Sequence, residues 1–444
     1  MNPTNKQQQF FHWGKNLFSQ LKGNESATLS LAAEETEFTR FNHSLIRQHT
    51  WVKQCQIFLK YQKGQKSLEI SVQLGWDDEQ ARELLNEVIE SARDQISSIP
   101  DDPFLAPLSC TDQSLCSHQG TLPSPEIWPS CLSDPLTEQD LAGISSMGPV
   151  YRGLMNSLGM SHWYETQSFS FDYSLYDGEN AVKNVYAPYQ WKQEELREKL
   201  NLDIVMLEKL KRPPKKLEPG KYRCYLGPQA VAEILSLLSW GALSYAQTQR
   251  GNSPLLKLWK NERQLSELFS LDEDFSQGLV PRFNNLGESA PEKITLIQNG
   301  HINELLTSQR SALQYDALSN KASESEVPRA LSMRGGSLED KDILKKIGTG
   351  LYLANLHYLN WSNVTEARLT GMTRFACLWV ENGEIVGPIE DMRFDETLYS
   401  FFGKHLVELT SEKMFHPNLS TYSERSLGGV TCPGALIDQF TLTL

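Results

Sequence analysis

"LIRQHTWVKQCQIFLKYQ", residues 45–62, sets Trp51, Cys55, Ile57, Leu59 and Tyr61 at alternate positions. A period of two turns successive side chains to opposite faces, so this run predicts a long strand with one apolar face. Gly64 supplies the turn into "SLEISVQL" (67–74), where Leu68, Ile70, Val72 and Leu74 alternate in the same way. Upstream, "ATLSLAA" (27–33) and "TEFTRFN" (36–42) read as two further strands, giving an antiparallel meander. Helices flank it. Phe10, Trp13, Leu17 and Leu21 recur at helical spacing before Gly23. After Asp77-Asp78-Glu79, a helix start by its acids, Ala81, Leu84, Leu85, Val88, Ala92 and Ile96 form one stripe. The N-terminal part is thus a sheet with helices packed on one side.

Further along, residues 98–135 are rich in Pro, Ser and Cys and read as an irregular surface excursion. A helix is expected after Thr137, with Asp140 as its capping partner. "WYETQSFSFDYSLYDGENAVKNVYAPYQW" (163–191) reads as a hairpin around Asp177-Gly178, followed by a charged helix over 192–212. "PPKKLEPG" (213–220) marks the domain boundary, dividing the chain into an N-terminal α+β domain (1–212) and a C-terminal β-rich domain (221–444). The second part opens with "KYRCYL" (221–226) as a strand and "GPQAVAEILSLLSWGALS" (227–244) as an apolar helix entered through Gly227-Pro228. A helix around 254–269 follows, then two hairpins at Asn299-Gly300 and Asn382-Gly383, a helix near 396–410 and a closing strand, "LIDQFTLTL" (436–444). Asn-Gly adopts positive φ cheaply and matches strand twist, which makes both hairpins specific expectations. The fold class is α+β, the first domain an antiparallel or mixed sheet with helices, the second a barrel-like or curved antiparallel sheet.

Lys plus Arg total 42 against 55 Asp plus Glu, a formal charge of −13, and no basic stripe is present. A nucleic-acid binder needs a basic footprint to release counterions, so nucleic acid is not an expected partner. No stretch reaches the ~18 apolar residues that cross a bilayer, and the N-terminus lacks an apolar signal core, which predicts a cytoplasmic protein without membrane contact. Seven cysteines at irregular spacing suit reduced thiols.

Catalytic motifs are missing. The nine histidines include no pair one helical turn apart, the spacing a zinc hydrolase helix needs. Cys110, Cys116, His118 and Cys131 are spaced unlike any compact zinc finger, and unpaired thiols are the better reading. "GISSMG" (143–148) misses the nucleophile-elbow spacing and falls in the expected helix. Phosphate-cradling loops are absent, and Gly335-Gly336, Gly348 and Gly350 read as turn and packing glycines.

Six stretches in order carry a resemblance: "EFTRFNHSLIRQ" (37–48), "DDPF" (101–104), "YDGENAVKNVYAPYQW" (176–191), "LGPQAVAEILSLLSWGALS" (226–244), "PRFNNLGESAPEKITLIQNGHINELLTSQRSA" (281–312) and residues 348–394, "GTGLYLANL…DMRF". Together they resemble the TldD/PmbA family of metallopeptidase-related proteins, from about residue 25 to the end. The resemblance implies two kinds of subunit. The TldD kind carries HExxxH on the helix opening the second domain, with a cysteine further on completing a zinc site. The PmbA (TldE) kind lacks these ligands and assembles with the first. Where the histidines would stand, this chain reads "AVAEILSLLSW" (230–240), with Glu233 the sole candidate donor. Cys432 lies near the family's cysteine region but in a Cys-Pro-Gly setting, and is read as a small buried or turn residue.

The resemblance therefore implies a subunit without catalytic residues, metal or cofactor of its own. Its zinc-bearing TldD-like paralogue would be the partner, and unfolded or modified peptides, added as extended strands, the substrate. Asn299, Gly300, Thr370, Gly371 and Arg374 are the expected peptide-binding residues. Two alternatives stand beside this. One is a self-sufficient metallopeptidase or other hydrolase assembled from Glu233, His301, His357 and Cys377; the other is a homodimeric interaction module without protease activity. The family has also been labelled a modulator of DNA gyrase, which the acidic charge does not favour as direct DNA binding.

Overall fold

The computed structural model describes residues 5–444 apart from 109–111, 125, 127, 133–135 and 137–138. Two sheets account for the architecture. The first has seven strands: β1 (Glu25–Asn42), β2 (Leu45–Lys63), β3 (Lys66–Gln73), β4 (Gln113–Gln119), β5 (Asp140–Asn156), β6 (Ser161–Asp177) and β7 (Asn180–Tyr186). Their order is β3-β2-β1-β5-β6-β4, with β7 also on β6. All pairs are antiparallel except β4 with β6.

Register explains the faces. Leu29 lies opposite Leu59 and Met155, Leu31 opposite Ile57, and Tyr151 opposite Glu165, so odd positions of β1, β2, β5 and β6 share one face. That face is apolar and takes the helices. Helix α1 (Asn5–Phe18) and α2 (Asp78–Gln95) cover Leu29, Ile57, Leu59 and Trp163. Asp77 caps α2 by accepting the Gln80 N–H at 2.8 Å. Helix α1 approaches closely because Gly153 leaves room for the Phe10 ring, which a Cβ there would meet at 2.6 Å. Helix α3 (Gln193–Leu210) covers the other end through Leu196, Leu200 and Leu207 against Phe169, Phe171 and Leu175. The even face is polar and turns toward the C-terminal half.

The second sheet has thirteen strands: β8 (Gly220–Leu226), β9 (Leu271–Asp274), β10 (Lys293–Gln298), β11 (His301–Ile302), β12 (Ala330–Met333), β13 (Gly350–Leu353), β14 (Leu356–Asn363), β15 (Arg368–Thr373), β16 (Cys377–Glu381), β17 (Glu384–Pro388), β18 (Arg393–Thr397), β19 (Leu406–Pro417) and β20 (Gly429–Leu442). Its main path is β11-β10-β9-β12-β20-β8-β13-β16-β17, with β14-β15-β18 joining at β20. Mixed pairing enters at β12–β20 and β13–β8, both parallel. The path is open, so the barrel-like alternative gives way to a curved sheet. Helix α4 (Pro228–Ser236) sits in the largest core with Val231, Ile234 and Leu235 fully buried. The halves are tied by Tyr164 Oη donating to Gly278 O at 2.8 Å and His162 Nε2 bonded to Gly287 O at 2.8 Å. Among the described residues no helix is long and apolar enough to cross a membrane.

Several expected elements differ. Thr137 lies outside the described residues, and the helix expected after it is β5, along with "GISSMG". Its Gly and Ser content reflects crowding between β1 and β6: a Cβ on Gly148 (φ 134°) would collide with Glu35 O. "ATLSLAA" and "TEFTRFN" are one strand, β1, irregular in pairing only at Arg40/Phe41. The excursion at 98–135 contains β4, which pairs with β6 through backbone bonds that composition does not announce. The helix near 254–269 shrinks to Leu256–Trp259 because the Glu262 and Arg263 N–H groups turn back onto Lys257 O past Asn261 (φ 58°). Near 396–410 only Ser400–Lys404 coils, as a π-turn broken at Gly403 (φ −102°, ψ −113°), before β19 begins.

Candidate functional site

Glu233 is the one ionisable side chain on α4. It is placed by the strand entering the helix. Gly227 N–H donates to Leu353 O at 2.8 Å, and parallel pairing of β8 with β13 aligns the helix start with the β13–β14 connection. The Leu356 N–H then donates to Glu233 Oε2 at 2.9 Å. Burial pushes the carboxyl up to about 7, against the pull of that N–H, of Lys183 and of the Gln229 side chain.

Around it stand groups from four other segments. Lys183 comes from β7, Asn355 from the β13–β14 connection and His357 from the start of β14, Arg374 from the β15–β16 connection and Cys377 from the start of β16, and Asp391 from the segment after β17. Asn355 Nδ2 donates to Lys183 O at 3.4 Å, joining the two halves of the chain here. Its Oδ1 is buried and has no hydrogen-bond partner among the described residues. Cys377 Sγ donates to Asn355 O at 3.5 Å. Burial, Asp391 and Glu233 all hold that thiol above its ordinary value. His357 is held low by burial, then by Arg374 and Lys183, while Asp391 pulls the other way; Asp391 is raised by burial against Arg374 and His357. At neutral pH the site offers a carboxyl poised to gain or lose a proton, a neutral imidazole, two cations and a protonated thiol.

Two hollows adjoin the cluster. One, of 390 Å³, is lined by Arg374, Phe375 and Asp391 together with Glu179 and Lys211. The other, of 670 Å³, lies on the even face of the first sheet, lined by Phe38, Arg40, Thr50, Ile144, Asp172 and Lys183. Lys183 lines the groove and also acts on Glu233, so it is the residue the groove and the cluster share.

Of the residues singled out in the sequence, Glu233 acts on Cys377, while His357 shares Lys183 with Glu233 and Asp391 with Cys377. His301 stands apart: it is exposed at the far end of the second sheet, in β11. Cys432 is buried beneath the start of α4, its Sγ 3.2 Å from Pro228 O. Among the described residues no three of His, Cys, Asp and Glu group as metal donors; Cys110 lies outside those residues. Asn299 and Gly300 form the β10–β11 turn, where Gly300 (φ 81°) packs against Leu265 O. Thr370 and Gly371 lie in β15, whose two edges pair with β14 and β18, and Thr370 Oγ1 donates to Phe394 O at 2.9 Å. Arg374 alone of these five reaches the cluster, with its side chain exposed. Lys183, Asn355 and Asp391 escaped sequence reasoning. Only the hairpin alternation of residues 163–191 hinted that Lys183 faces a polar surface.

Residues 219–444 match the family model described as the PmbA/TldA metallopeptidase C-terminal domain. No curated protein matches the chain. Among solved structures, a candidate modulator of a DNA gyrase from Thermotoga maritima superposes with a TM-score of 0.78 at 14% identity, covering 98% of this chain and 100% of that one. TldE from Thermococcus kodakarensis gives 0.77 at 14% identity, with 98% of each chain covered. A candidate modulator of DNA gyrase from Bacteroides thetaiotaomicron gives 0.74 at 15%, covering 99% of each. At such identities the likeness establishes the fold.

Proposed function

Since the chain belongs to the PmbA/TldD metallopeptidase family, we propose that it is a TldE-like, metal-free subunit that helps a zinc-bearing TldD-like paralogue bind and process unfolded or modified peptides in the cytoplasm. The observation that carries this reading is the state of α4. Where the metal-bearing kind of subunit is expected to present two histidines and a glutamate, this helix presents Glu233, already engaged by the Leu356 N–H and surrounded by Val231, Ile234 and Leu235 in the core. A hydrolytic zinc needs three protein ligands and an open position. A TldE shares the fold over nearly the whole chain, in keeping with the same assignment.

The groove that shares Lys183 with the cluster suits an extended peptide. Its floor is a sheet face with Arg40 and Lys183 as cations, and Asn355, bonded to the Lys183 carbonyl, has a buried Oδ1 with an acceptor to spare. Arg374 lies on the cluster's outer side, where it would meet a peptide carboxylate or carbonyl.

That Glu233, His357 and Cys377 act on one another or through shared neighbours favours a second reading, a self-sufficient hydrolase. Against it, the Cys377 thiol is held protonated and turned onto Asn355 O, which leaves it a poor nucleophile. One experiment separates the two. The chain is purified alone and with an HExxxH-bearing paralogue, and metal content and peptide cleavage are measured on each. The proposal expects less than stoichiometric zinc in the chain alone and cleavage only in the mixture. Stoichiometric zinc, or cleavage by the chain alone that Glu233→Gln abolishes, refutes it.

A further inference from the structure

Beyond the groove, the even face of the first sheet runs under the loop at 418–428, and between them lies a third cavity, of 170 Å³. That is close to the ~150 Å³ of an apolar cavity known to admit a benzene ring. Its walls are unlike those of the groove. Leu279, Phe415 and Leu419 make one side apolar, while Ser168 and Ser170 project from β6. Arg425 completes the lining and is 5% exposed.

The guanidinium of Arg425 rests on neutral acceptors. Nη2 donates to Gly148 O at 2.8 Å and to Ser168 Oγ at 2.9 Å, and Nη1 reaches Ser168 O at 3.5 Å. Glu34 is the neighbouring opposite charge, but its Oε1 accepts the Arg425 backbone N–H at 3.2 Å and the Gln54 amide rather than the guanidinium. Glu424 pairs with Arg152 instead, at 2.9 Å. A buried charge is ordinarily paired, because carbonyls and hydroxyls replace only part of its lost hydration. Here a planar cation stands in the wall of an apolar cavity, with no carboxylate among the described residues bonded to it.

We infer that this cavity binds a monocarboxylate bearing a short branched or aromatic group, with the carboxylate on Arg425 and the apolar part against Leu279, Phe415 and Leu419. The guanidinium keeps its Nε–H and an Nη1–H uncommitted for a carboxylate, whereas a phosphate ester would bring a second charge that nothing here answers. The same chemistry is presented by the C-terminal residue of a peptide and by a small free organic acid. Thr421 lines both this cavity and the 670 Å³ groove, so the two adjoin there.

Calorimetry on the full chain tests this with two matched pairs: a pentapeptide ending in leucine as free acid and as C-terminal amide, and 4-methylpentanoate with 4-methylpentanamide. In at least one pair the acid is expected to bind about 10- to 100-fold more tightly, the worth of a hydrogen bond to a charged group. The pair that shows it identifies the source. Arg425→Gln keeps donors for Gly148 and Ser168 and should remove the preference; Leu419→Trp fills the cavity from a separate wall and should abolish binding while melting like the parent. Equal binding of acid and amide, no binding in either pair, or an acid preference surviving both substitutions overturns the assignment. The outcome is independent of zinc content and of cleavage by the mixed subunits, so this inference and the proposed function fail separately.

Discussion

Replacing Glu233 by Gln tests the electrostatics on which the candidate site rests. In the unfolded chain this carboxyl ionises near its ordinary value of 4.5, while in the fold burial carries it to about 7. The folded state therefore holds the proton more tightly. The penalty for ionising Glu233 is nearly absent below 4.5, grows as the pH rises toward 7, and is complete above it. Linkage makes the stability lost between pH 5 and pH 8 about 2.5 kcal/mol from this group alone. Glu233→Gln cannot ionise yet keeps an oxygen for the Leu356 N–H. Relative to the parent it should gain about 2.5 kcal/mol between pH 5 and pH 8, or about 5 to 10 °C of melting temperature for a cooperative unit the size of residues 219–444. Thermal melts of both proteins across that pH range provide the measurement. Every other titrating group is common to the two, so the separation of the curves reports Glu233. Parallel curves would show that the carboxyl is hydrated and ionised like a surface group, and the poised acid would have to be abandoned.

Other consequences are equally concrete. The Glu25 carboxyl is raised by burial but held down to about 2 overall by Arg93, the Lys22 N–H and Tyr61. Its stabilisation is present above about 4.5 and lost as the pH falls toward 2, and Arg93→Met should cost about 3 to 5 kcal/mol at pH 7 in urea unfolding by stranding a buried carboxylate. Gly64→Ala, at φ 62° with no atom within 4 Å of a new Cβ, should cost about 1 to 2 kcal/mol. Gly300→Ala, at φ 81° and against Leu265 O, should cost more, as a direct comparison of melting temperatures will show. Thiol titration of the folded protein should leave Cys55, Cys224, Cys377 and Cys432 unreactive until denaturant is added, since all four are buried and burial pushes the Cys55 thiol up to about 12.

What the sequence revealed and what it hid follow from the range of the interactions involved. The β2–β3 hairpin was legible because a strand with one dry face must alternate, as Cys55, Ile57, Leu59 and Tyr61 do. Turns at Asn299-Gly300 and Asn382-Gly383 were legible because both asparagines need positive φ, 49° and 52° in the structure. Strand β5 was not. It is covered on both faces and bounded on both edges, so glycines and serines chosen for close approach replaced the alternation that would have identified it. Trp51 shows the converse: it keeps the alternation of its strand yet is 54% exposed, because the outer part of the β1–β2 ribbon extends beyond the helices. The site was hidden for a related reason. Glu233 and Cys377 are 144 positions apart, and Lys183 acts on both Glu233 and His357 from the other sheet. Ligand spacing within one helix can be read locally, whereas a cluster built at the junction of two sheets leaves no periodic trace.

The even face of the first sheet ties these observations together. Because pairing between β1, β2, β5 and β6 preserves parity up to the shift at Arg40/Phe41, one choice of register sends the odd side chains of the inner ribbon under the helices and the even ones toward the C-terminal half. A one-residue slip would exchange Ile57 for Gln56 and Phe171 for Asp172, so the dry core fixes the polar groove as strictly as it fixes itself. The groove, the Arg425 cavity and the approach to Glu233 are thus by-products of a register enforced from the opposite side of the sheet. That separation lets the polar face change its chemistry without cost to the core. An α4 with a single candidate donor, beside this groove, is the arrangement the proposed peptide-binding role requires.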